Sequence, residues 1–224
     1  MRSIAVPGTT TPYTQEMLMI HRVFRREAAQ LLHFVTTTGA GDVSRARQVA
    51  EAVREYIGGL HHHHGVEDEL IWPLLHARAQ VHDDLVIRME MQHEALDVTL
   101  TTLQGLLPRW EAIAGPADRD ALAEALTDHR QVLLDHLGDE ETLVMPLVEE
   151  HLTTVEWQEV GRRGLENVPR SKVFLALGAI LEEATPEERR EFLGRVPLAG
   201  RMLWRIVGRR RYQRQMAALR GGAV

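Results

Sequence analysis

The sequence predicts an all-α fold, an antiparallel up-down-up-down four-helix bundle followed by a C-terminal helical extension. Three observations predict it. Apolar residues recur with the 3.6-residue period of helices over most of the chain, alternating β-branched runs are scarce, and the long periodic segments are joined by short connections. The 224 residues are 44% hydrophobic and 26% charged, and no apolar run approaches the ~20 residues needed to cross a bilayer. The chain therefore reads as a folded globular protein.

Turn-forming residues delimit four long helices, which together define a predicted bundle domain over residues 12–151. Thr11 is a suitable N-cap and Pro12 a suitable first helical residue. We expect a kink at Gly58–Gly59 in the second helix and a bend at Pro108 in the third. The predicted bounds are Pro12 to the Thr36–Gly41 stretch, Asp42 to Ala79, Val81 to Ala114, and Gly115–Pro116 to His151.

Residues 152–224 are predicted to form an extension of smaller helices. Two helical segments are expected near Trp157–Gly161 and Lys172–Glu183. A third begins at Thr185, which has the capping-box spacing with Glu188. An arginine-rich helix over Leu198–Leu219 completes the predicted extension.

Charge and cysteine content narrow the classes of function. The chain has no cysteine, which excludes disulfides, thiolate metal sites and cysteine nucleophiles. The net charge is −6, and because seven arginines between Arg201 and Arg220 contribute +7, the remaining chain carries −13. An acidic body argues against nucleic-acid binding. No secretory signal is recognised at the N-terminus, and we expect a cytoplasmic location.

A duplicated pattern carries the chemistry. Each copy has a histidine, then on the next helix His-x3-Glu, with a proline ten residues after that second histidine. Residues four apart lie on the same face of a helix, so each His-x3-Glu pair points inward together. The first copy is His21, His63, Glu67 and Pro73, and the second is His93, His136, Glu140 and Pro146. From the His-x3-Glu histidine to the proline, the two copies are offset by 73 residues.

Four imidazoles and two carboxylates are thus predicted to converge at one depth of the bundle. Burying them unpaired would be costly, so a metal is expected. Two ions, each with two histidines and both bridged by the two glutamates, fit the symmetry of the repeat. Ferritin-type bundles use an oxygen-rich Glu and Glu-x-x-His set, which the histidine-rich pattern disfavours. Zinc, manganese or a purely structural metal remains the alternative to iron.

These residues resemble the hemerythrin HHE cation-binding family over about residues 15–151, and the extension is similar to those of actinobacterial members. The resemblance implies two non-haem iron ions with an oxo or hydroxo bridge. It implies terminal ligands at the four motif histidines and bridging ligands at the two motif glutamates. The expected partner is a small molecule (dioxygen, peroxide or nitric oxide), with an external electron donor if the site is redox-active.

One departure from the family pattern bears on function. Oxygen-carrying hemerythrins have His-x3-His on the third helix and five histidines in all, whereas Asp97 follows His93 here at that spacing. With four imidazoles, reversible oxygen carriage is disfavoured. A di-iron oxidoreductase that decomposes peroxide in a catalase-like reaction and a non-enzymatic oxygen-binding, iron-binding or sensing module both remain open. Asp97 is either a ligand or the partner of Arg25.

Tyr56 and His129 each lie seven residues before a motif histidine, on the same helix face about 10 Å away. Two roles are open for them: lining the pocket or donating hydrogen bonds to a bound ligand, and ordinary core packing. The other histidines of the second helix's four-histidine run, His61, His62 and His64, are expected on solvated faces.

The arginine-rich tail has three interpretations. Leu198, Met202 and Ile206 recur every four residues and form an apolar stripe beside a basic face. Docking of that stripe on the acidic body, in the same chain or in a homodimer, is the preferred interpretation. Binding to a membrane surface ranks second and is not expected. Binding to nucleic acid ranks third.

Overall fold

The structure is a computed structural model that describes residues 11–166, 168–169 and 172–221. Within those residues all regular structure is helical, which confirms the all-α prediction. The helices are α1 (Gln15–Thr37), α2 (Val43–Leu70), α3 (Trp72–Arg78), α4 (Asp83–Ile113), α5 (Pro116–Asp139), α6 (Met145–His151), α7 (Thr154–Glu166), α8 (Val173–Glu183), α9 (Pro186–Arg195), α10 (Leu198–Leu203) and α11 (Arg209–Arg220). A 3₁₀ turn spans Gln80–His82, and π-helical turns span Glu140–Val144 and Trp204–Gly208.

The four long helices form a closed bundle. Helix α1 contacts α2 and α5, and α4 contacts the same two helices from the opposite corner. The Gly41 N–H donates to the Ala114 carbonyl at 3.0 Å, so the α1–α2 and α4–α5 connections meet at the same end. Ala114 has a left-handed backbone with φ 49°, which turns the chain sharply after α4. The bundle is thus the four-helix arrangement that the short connections predict.

The predicted start of the first helix is wrong, and two helices continue through the positions where a kink and a bend are expected. Helix α1 begins at Gln15, after Pro12 rather than on it. Helix α2 passes without interruption through Gly58–Gly59, and α4 contains Pro108 in its interior. Pro108 lies on the exposed side of α4, where water can bond the carbonyl that proline leaves free.

The breaks occur instead at the two motif prolines. Helix α2 ends at Leu70, and α3 starts at Trp72 with Pro73 in its first turn. In the second copy, a π-helical turn starts at Glu140 and ends just before Met145–Pro146. Proline has no N–H to donate and its ring clashes with the preceding turn, so each helix is re-started there. The same sequence feature thus interrupts both halves of the repeat at equivalent positions.

The extension folds back on the bundle. Helix α7 contacts α2, α8 contacts α1, and α11 contacts α8. The capping box predicted at the start of α9 is confirmed, because Thr185 accepts from the Glu188 N–H and Glu188 from the Thr185 N–H. Among the described residues every helix is too short or too polar to traverse a lipid bilayer.

The tail helix packs on the protein by a different face from the one predicted. Trp204, Gly208 and Tyr212 are buried, whereas the stripe of Leu198, Met202 and Ile206 is exposed to 65%, 55% and 64%. Aromatic side chains bury about 150–250 Å² each, so Trp204 and Tyr212 provide a large apolar contact. Two glycines allow their close approach, because a Cβ on Gly178 or Gly208 would meet the rings of Tyr212, Trp204 and Phe174.

Two apolar clusters fill the bundle, one on each side of a polar layer. Towards the Gly41–Ala114 end, one cluster includes Phe24, Leu60, Leu96 and Leu133. The other includes Met17, Val66, Met89 and Val144. On each long helix the motif histidine lies between a residue of one cluster and a residue of the other. The polar layer is therefore enclosed by hydrocarbon at both ends.

Candidate metal centre

The bundle brings all six predicted ligands into the polar layer. His21 lies on α1, His63 and Glu67 on α2, His93 on α4, His136 on α5 and Glu140 at the start of the π-helical turn. Five of the six are buried, and the His63 side chain is only 10% exposed. The His-x3-Glu spacing places each glutamate one turn after its histidine on the inward face, as the sequence predicts.

Each carboxylate reaches imidazoles from two helices. The Oε1 atom of Glu67 lies 3.2 Å from His63 Nε2, and its Oε2 lies 3.5 Å from His93 Nε2. Glu140 Oε2 lies 3.3 Å from His21 Nε2 and 3.5 Å from His136 Nε2. The two glutamates therefore join the halves of the repeat and stand where bridging ligands would be needed.

His64, expected on a solvated face, is instead buried inside the polar layer with 3% exposure. Its ring stacks on His93 at 4.3 Å between centroids and meets His136 edge-on at 5.1 Å. The expectation of four imidazoles is therefore wrong, because a fifth points into the same space. Its repeat equivalent is Leu137, so the fifth imidazole belongs to one half only.

The seven side chains divide into two overlapping sets of donors. In each set the donor atoms lie within 4.8 Å of one another, close enough to hold one ion. Glu67 belongs to both sets. The first set is His21, His63, Glu67 and Glu140, and the second is His64, Glu67, His93 and His136.

Donor atoms of this cluster are buried and have no hydrogen-bond partner among the described residues. They include the Nε2 atoms of all five histidines, the Nδ1 atom of His64 and all four carboxylate oxygens of Glu67 and Glu140. Ten unpaired polar atoms buried in one cluster would be strongly destabilising in a protein interior without a cation. The donor set therefore fits a pair of metal ions.

The electrostatics of the cluster agree with that fit. Burial, together with neighbouring imidazoles, lowers the pKa of His63 and His64 well below its usual value and that of His136 to about 2. These three imidazoles are thus in the neutral form that ligates metals. Burial and the proximity of Glu140 raise the pKa of Glu67 well above its ordinary range. A cation between the two carboxylates would remove that penalty.

Hydrogen bonds behind the cluster orient two of the imidazoles. His21 Nδ1 donates to Glu141 at 3.0 Å, and Glu141 also accepts from Arg25 at 2.5 Å. In the other half, His93 Nδ1 donates to Asp68 at 2.7 Å. Asp68 and Glu141 are themselves 73 residues apart, so the repeat extends to these acceptors. Each acceptor fixes the tautomer that directs Nε2 towards the cluster.

A third imidazole uses a partner that the repeat did not reveal. His136 Nδ1 donates to the Gln92 Oε1 atom at 3.2 Å, and Gln92 Nε2 donates to Asp139 at 2.9 Å. Gln92 has no counterpart in the first copy, where the aligned residues are apolar. In the sequence, the role of Gln92 as a partner of His136 is indicated only by its position directly before His93.

Tyr56 and His129 hydrogen-bond to each other, with 2.7 Å between Tyr56 Oη and His129 Nε2. Thr99 has one hydroxyl proton, which it donates to the Leu96 carbonyl, so it accepts from His129 Nδ1–H at 2.7 Å. Tyr56 is therefore the donor to Nε2. Phe24 separates this pair from the cluster, with its ring 6.1 Å from Tyr56 and 5.1 Å from His63.

Asp97 lies outside the cluster. Its side chain is 58% exposed and pairs with His61 Nδ1 at 3.0 Å. The two alternatives for it, a ligand or a partner of Arg25, are both wrong, since Arg25 pairs with Glu141. His61 is exposed as expected, but His62 is half-buried and bonds the carbonyls of Arg163 and Gly164 at the end of α7.

Comparison with known families matches residues 14–151 to the family model described as Hemerythrin HHE cation binding domain. The matched residues run from just before α1 to the end of α6 and contain all seven side chains of the cluster. Searches among curated proteins and among solved structures each found no significant match.

Proposed function

Because the chain belongs to the hemerythrin HHE cation-binding domain family, we propose that its cluster holds two non-haem iron ions joined by an oxo or hydroxo bridge. The single observation that carries this proposal is the convergence of five imidazoles and two carboxylates whose donor atoms have no other partner. Imidazole ligands also suit zinc, copper and nickel. Cation binding as a family property and the shared Glu67 support a two-ion centre.

The two ions would have unequal ligand sets. One would be held by His21 and His63 and the other by His64, His93 and His136, with Glu67 common to both donor sets. Glu140 would be the second bridge, because it reaches His21 on one side and His136 on the other. The two-imidazole side has fewer protein ligands, so open positions are expected there. A pair of histidines with a carboxylate and open positions is typical of non-haem iron that reacts with oxygen.

We propose that the protein binds or reduces a small oxidant (dioxygen, peroxide or nitric oxide) on the side of His21 and His63. Bound ferrous iron would supply the electrons for this chemistry. The chain's own part is to hold five imidazoles in place, three of them oriented by a hydrogen bond at Nδ1, and to exclude water. Phe24 stands 5.1 Å from His63 and Trp72 stands 5.6 Å from His93, so aromatic rings cover both sides of the cluster. Any further electrons would come from an external donor.

A second candidate function, reversible oxygen binding without turnover, is favoured by His64. Reversible oxygen binding was disfavoured because the sequence pattern supplies only four imidazoles, and His64 adds a fifth to the cluster. With five, the number of imidazoles equals that of the oxygen carriers.

Metal analysis tests the centre itself. After expression in iron-supplemented medium, we expect about two irons per chain, as seven shared ligands imply. Zinc, or one ion per chain, would contradict the di-iron proposal.

The chemistry is tested by mixing the reduced protein with dioxygen and with peroxide. An absorption change that reverses when oxygen is removed would support the binding function. Release of oxygen from peroxide that is lost in His63→Ala would support the oxidoreductase. Inertness of the iron-loaded protein towards both, and towards nitric oxide, would contradict each candidate.

A further inference from the structure

The surface of the tail helix that points away from the bundle carries a strip of exposed aliphatic side chains. Trp204, Gly208 and Tyr212 already bury the opposite side of this helix against α8 and its surroundings. The strip is therefore not required for docking within the chain. It consists of Leu198, Met202, Leu203, Ile206 and Val207, each between 46% and 65% exposed.

Five arginines surround this strip without an ion pair among the described residues. Most described arginines of the body, in contrast, form an ion pair, as Arg26 does with Glu183 at 2.7 Å and Arg78 with Glu156 at 2.6 Å. Within the tail, Arg220 pairs with Glu182 at 2.8 Å. The five exposed arginines left over are Arg205, Arg209, Arg210, Arg211 and Arg214. Their charge is thus available to an external anion.

Guanidinium groups and aliphatic side chains line the same surface depressions. In one depression, Ile206 and Val207 lie beside Arg210, Arg211 and Arg214. A second depression is lined by Leu193, Leu198, Met202 and Trp204 together with Arg190, Arg201 and Arg205. A ligand that fits both features has anionic groups directly above hydrocarbon.

We propose that the tail helix, residues 198–220, is a peripheral binding surface for anionic phospholipid bilayers. The arginines contact lipid phosphates, and the aliphatic strip enters the boundary between headgroups and acyl chains. The helix lies along the bilayer with its buried side towards the bundle. This places the acidic bundle on the water side, away from the negative lipid surface.

Charge and polarity favour this occupant over the others. A symmetric dimer through the same surface would bring the arginines of one copy against those of the other. Nucleic acid would satisfy the arginines, but its phosphate backbone offers nothing to five exposed aliphatic side chains. Anionic lipid satisfies both.

The test is sedimentation of the full-length, iron-loaded protein with two kinds of vesicle, phosphatidylcholine alone and phosphatidylcholine mixed with phosphatidylglycerol. We expect binding to the mixed vesicles and an affinity at least about tenfold weaker for phosphatidylcholine alone. Two variants, Arg205→Gln/Arg210→Gln/Arg214→Gln and Met202→Ser/Ile206→Ser, should each lose most of the binding. Because these side chains are exposed, the helical content and melting temperature should stay unchanged.

Matched controls remove the same kinds of group elsewhere. Val98→Ser/Ile113→Ser deletes exposed aliphatic side chains of α4, and Arg109→Gln/Arg162→Gln deletes exposed arginines that pair with Asp118 and Glu159. Both controls should bind vesicles like the unchanged protein.

Three results would overturn the proposal. One is equal binding to both vesicles, or to neither. Another is loss of binding in the arginine variant alone, which would indicate a simple polyanion site such as one for nucleic acid. The third is a dimer in solution that the Met202→Ser/Ile206→Ser variant abolishes while vesicle binding is absent, which would identify a second copy as the occupant.

Discussion

At the scale of single residues, His64 changes what the cluster can do. A helix turns by about 100° per residue, so His63 and His64 point in nearly perpendicular directions. Helix α2 contacts both α1 and α4. In a square bundle, the directions from α2 to these two neighbours differ by about a right angle. His63 therefore faces His21 at 5.3 Å, while His64 faces His93 at 4.3 Å between ring centroids. Adjacent residues thus belong to the two different donor sets.

We predict that His64→Ala lowers the iron content from about two towards about one per chain. The reason is that the second set would retain two of its three imidazoles and so bind its ion more weakly. His61→Ala is the matched control, since His61 is exposed on the same turn and pairs only with Asp97 among the described residues. Metal analysis of both variants after the same purification checks the prediction. Full occupancy in His64→Ala would exclude His64 as a ligand.

Tyr56 and His129 form a buried hydrogen bond. The two residues are 73 positions apart and so are equivalent in the repeat. Burial lowers the pKa of His129 to about 4, so the ring is neutral and its Nε2 is an acceptor near neutral pH. Burial also raises the pKa of Tyr56 well above its usual value, which keeps its proton in place.

Tyr56→Phe should reduce the free energy of unfolding by about 1–2 kcal/mol, because His129 Nε2 would stay buried without its donor. Urea denaturation measures this change. A double-mutant cycle with His129→Leu supplies the control, since the double variant should be less destabilised than the two single changes added together. Strict additivity would show that the hydrogen bond contributes nothing specific.

At the scale of helices, the extension is attached through a glycine contact. Helices α8 and α11 cross where Gly178 faces the Tyr212 ring, and a Cβ at Gly178 would overlap Tyr212 Cγ. Tyr212 also donates to Glu182 on the same α8 helix. The ring is thus held from two sides, and it has little freedom to move away from an added methyl group.

We predict that Gly178→Ala destabilises the protein by about 1–3 kcal/mol, as overpacking of a close contact does. Gly58→Ala is the matched control in α2, because a Cβ there meets nothing within 4 Å. Alanine is the better helix former, so the control should gain about 1 kcal/mol. Chemical denaturation compares the two, and limited proteolysis at the arginines of α11 reports whether the tail is released. An unchanged Gly178→Ala variant would contradict this packing.

At the scale of the whole molecule, the cluster couples metal binding to folding. It separates the two apolar clusters of the bundle, so every long helix passes through it. Without a cation, Glu67 and Glu140 face each other in a medium that strongly disfavours their charge. Ions ligated from all four long helices would therefore link the stabilities of those helices.

Removal of the metal by a chelator should lower the melting temperature, and reloading with ferrous iron should restore it. Differential scanning calorimetry of the loaded, chelated and reloaded protein measures the effect. In Glu67→Gln the difference between loaded and chelated forms should be smaller, because the neutral amide binds metal weakly and is less costly to bury. Equal melting temperatures for the loaded and chelated unchanged protein would show that the cluster is not a structural metal site.

Local sequence determined the helices and the six motif side chains that converge in the cluster. The 3.6-residue period, the turn residues and the duplicated His-x3-Glu pattern all act within one or two helical turns, where spacing dictates which side chains share a face. Even the breaks near Pro73 and Pro146 have a local cause, although the continuous helices expected across them were wrong. The family match over residues 14–151 agrees with that pattern.

Only the tertiary structure decided which faces of the helices are buried. His64 is buried because α4 packs against the side of α2 that carries it, while α1 packs against the side that carries His63. The sequence of α2 alone does not show from which directions α1 and α4 approach. Likewise, the four-residue stripe of Leu198, Met202 and Ile206 is amphipathic by itself, but burial went to Trp204 and Tyr212. Those rings find complementary glycines at Gly178 and Gly208. Which of two apolar faces is buried is set by the shape of the partner, which lies elsewhere in the chain.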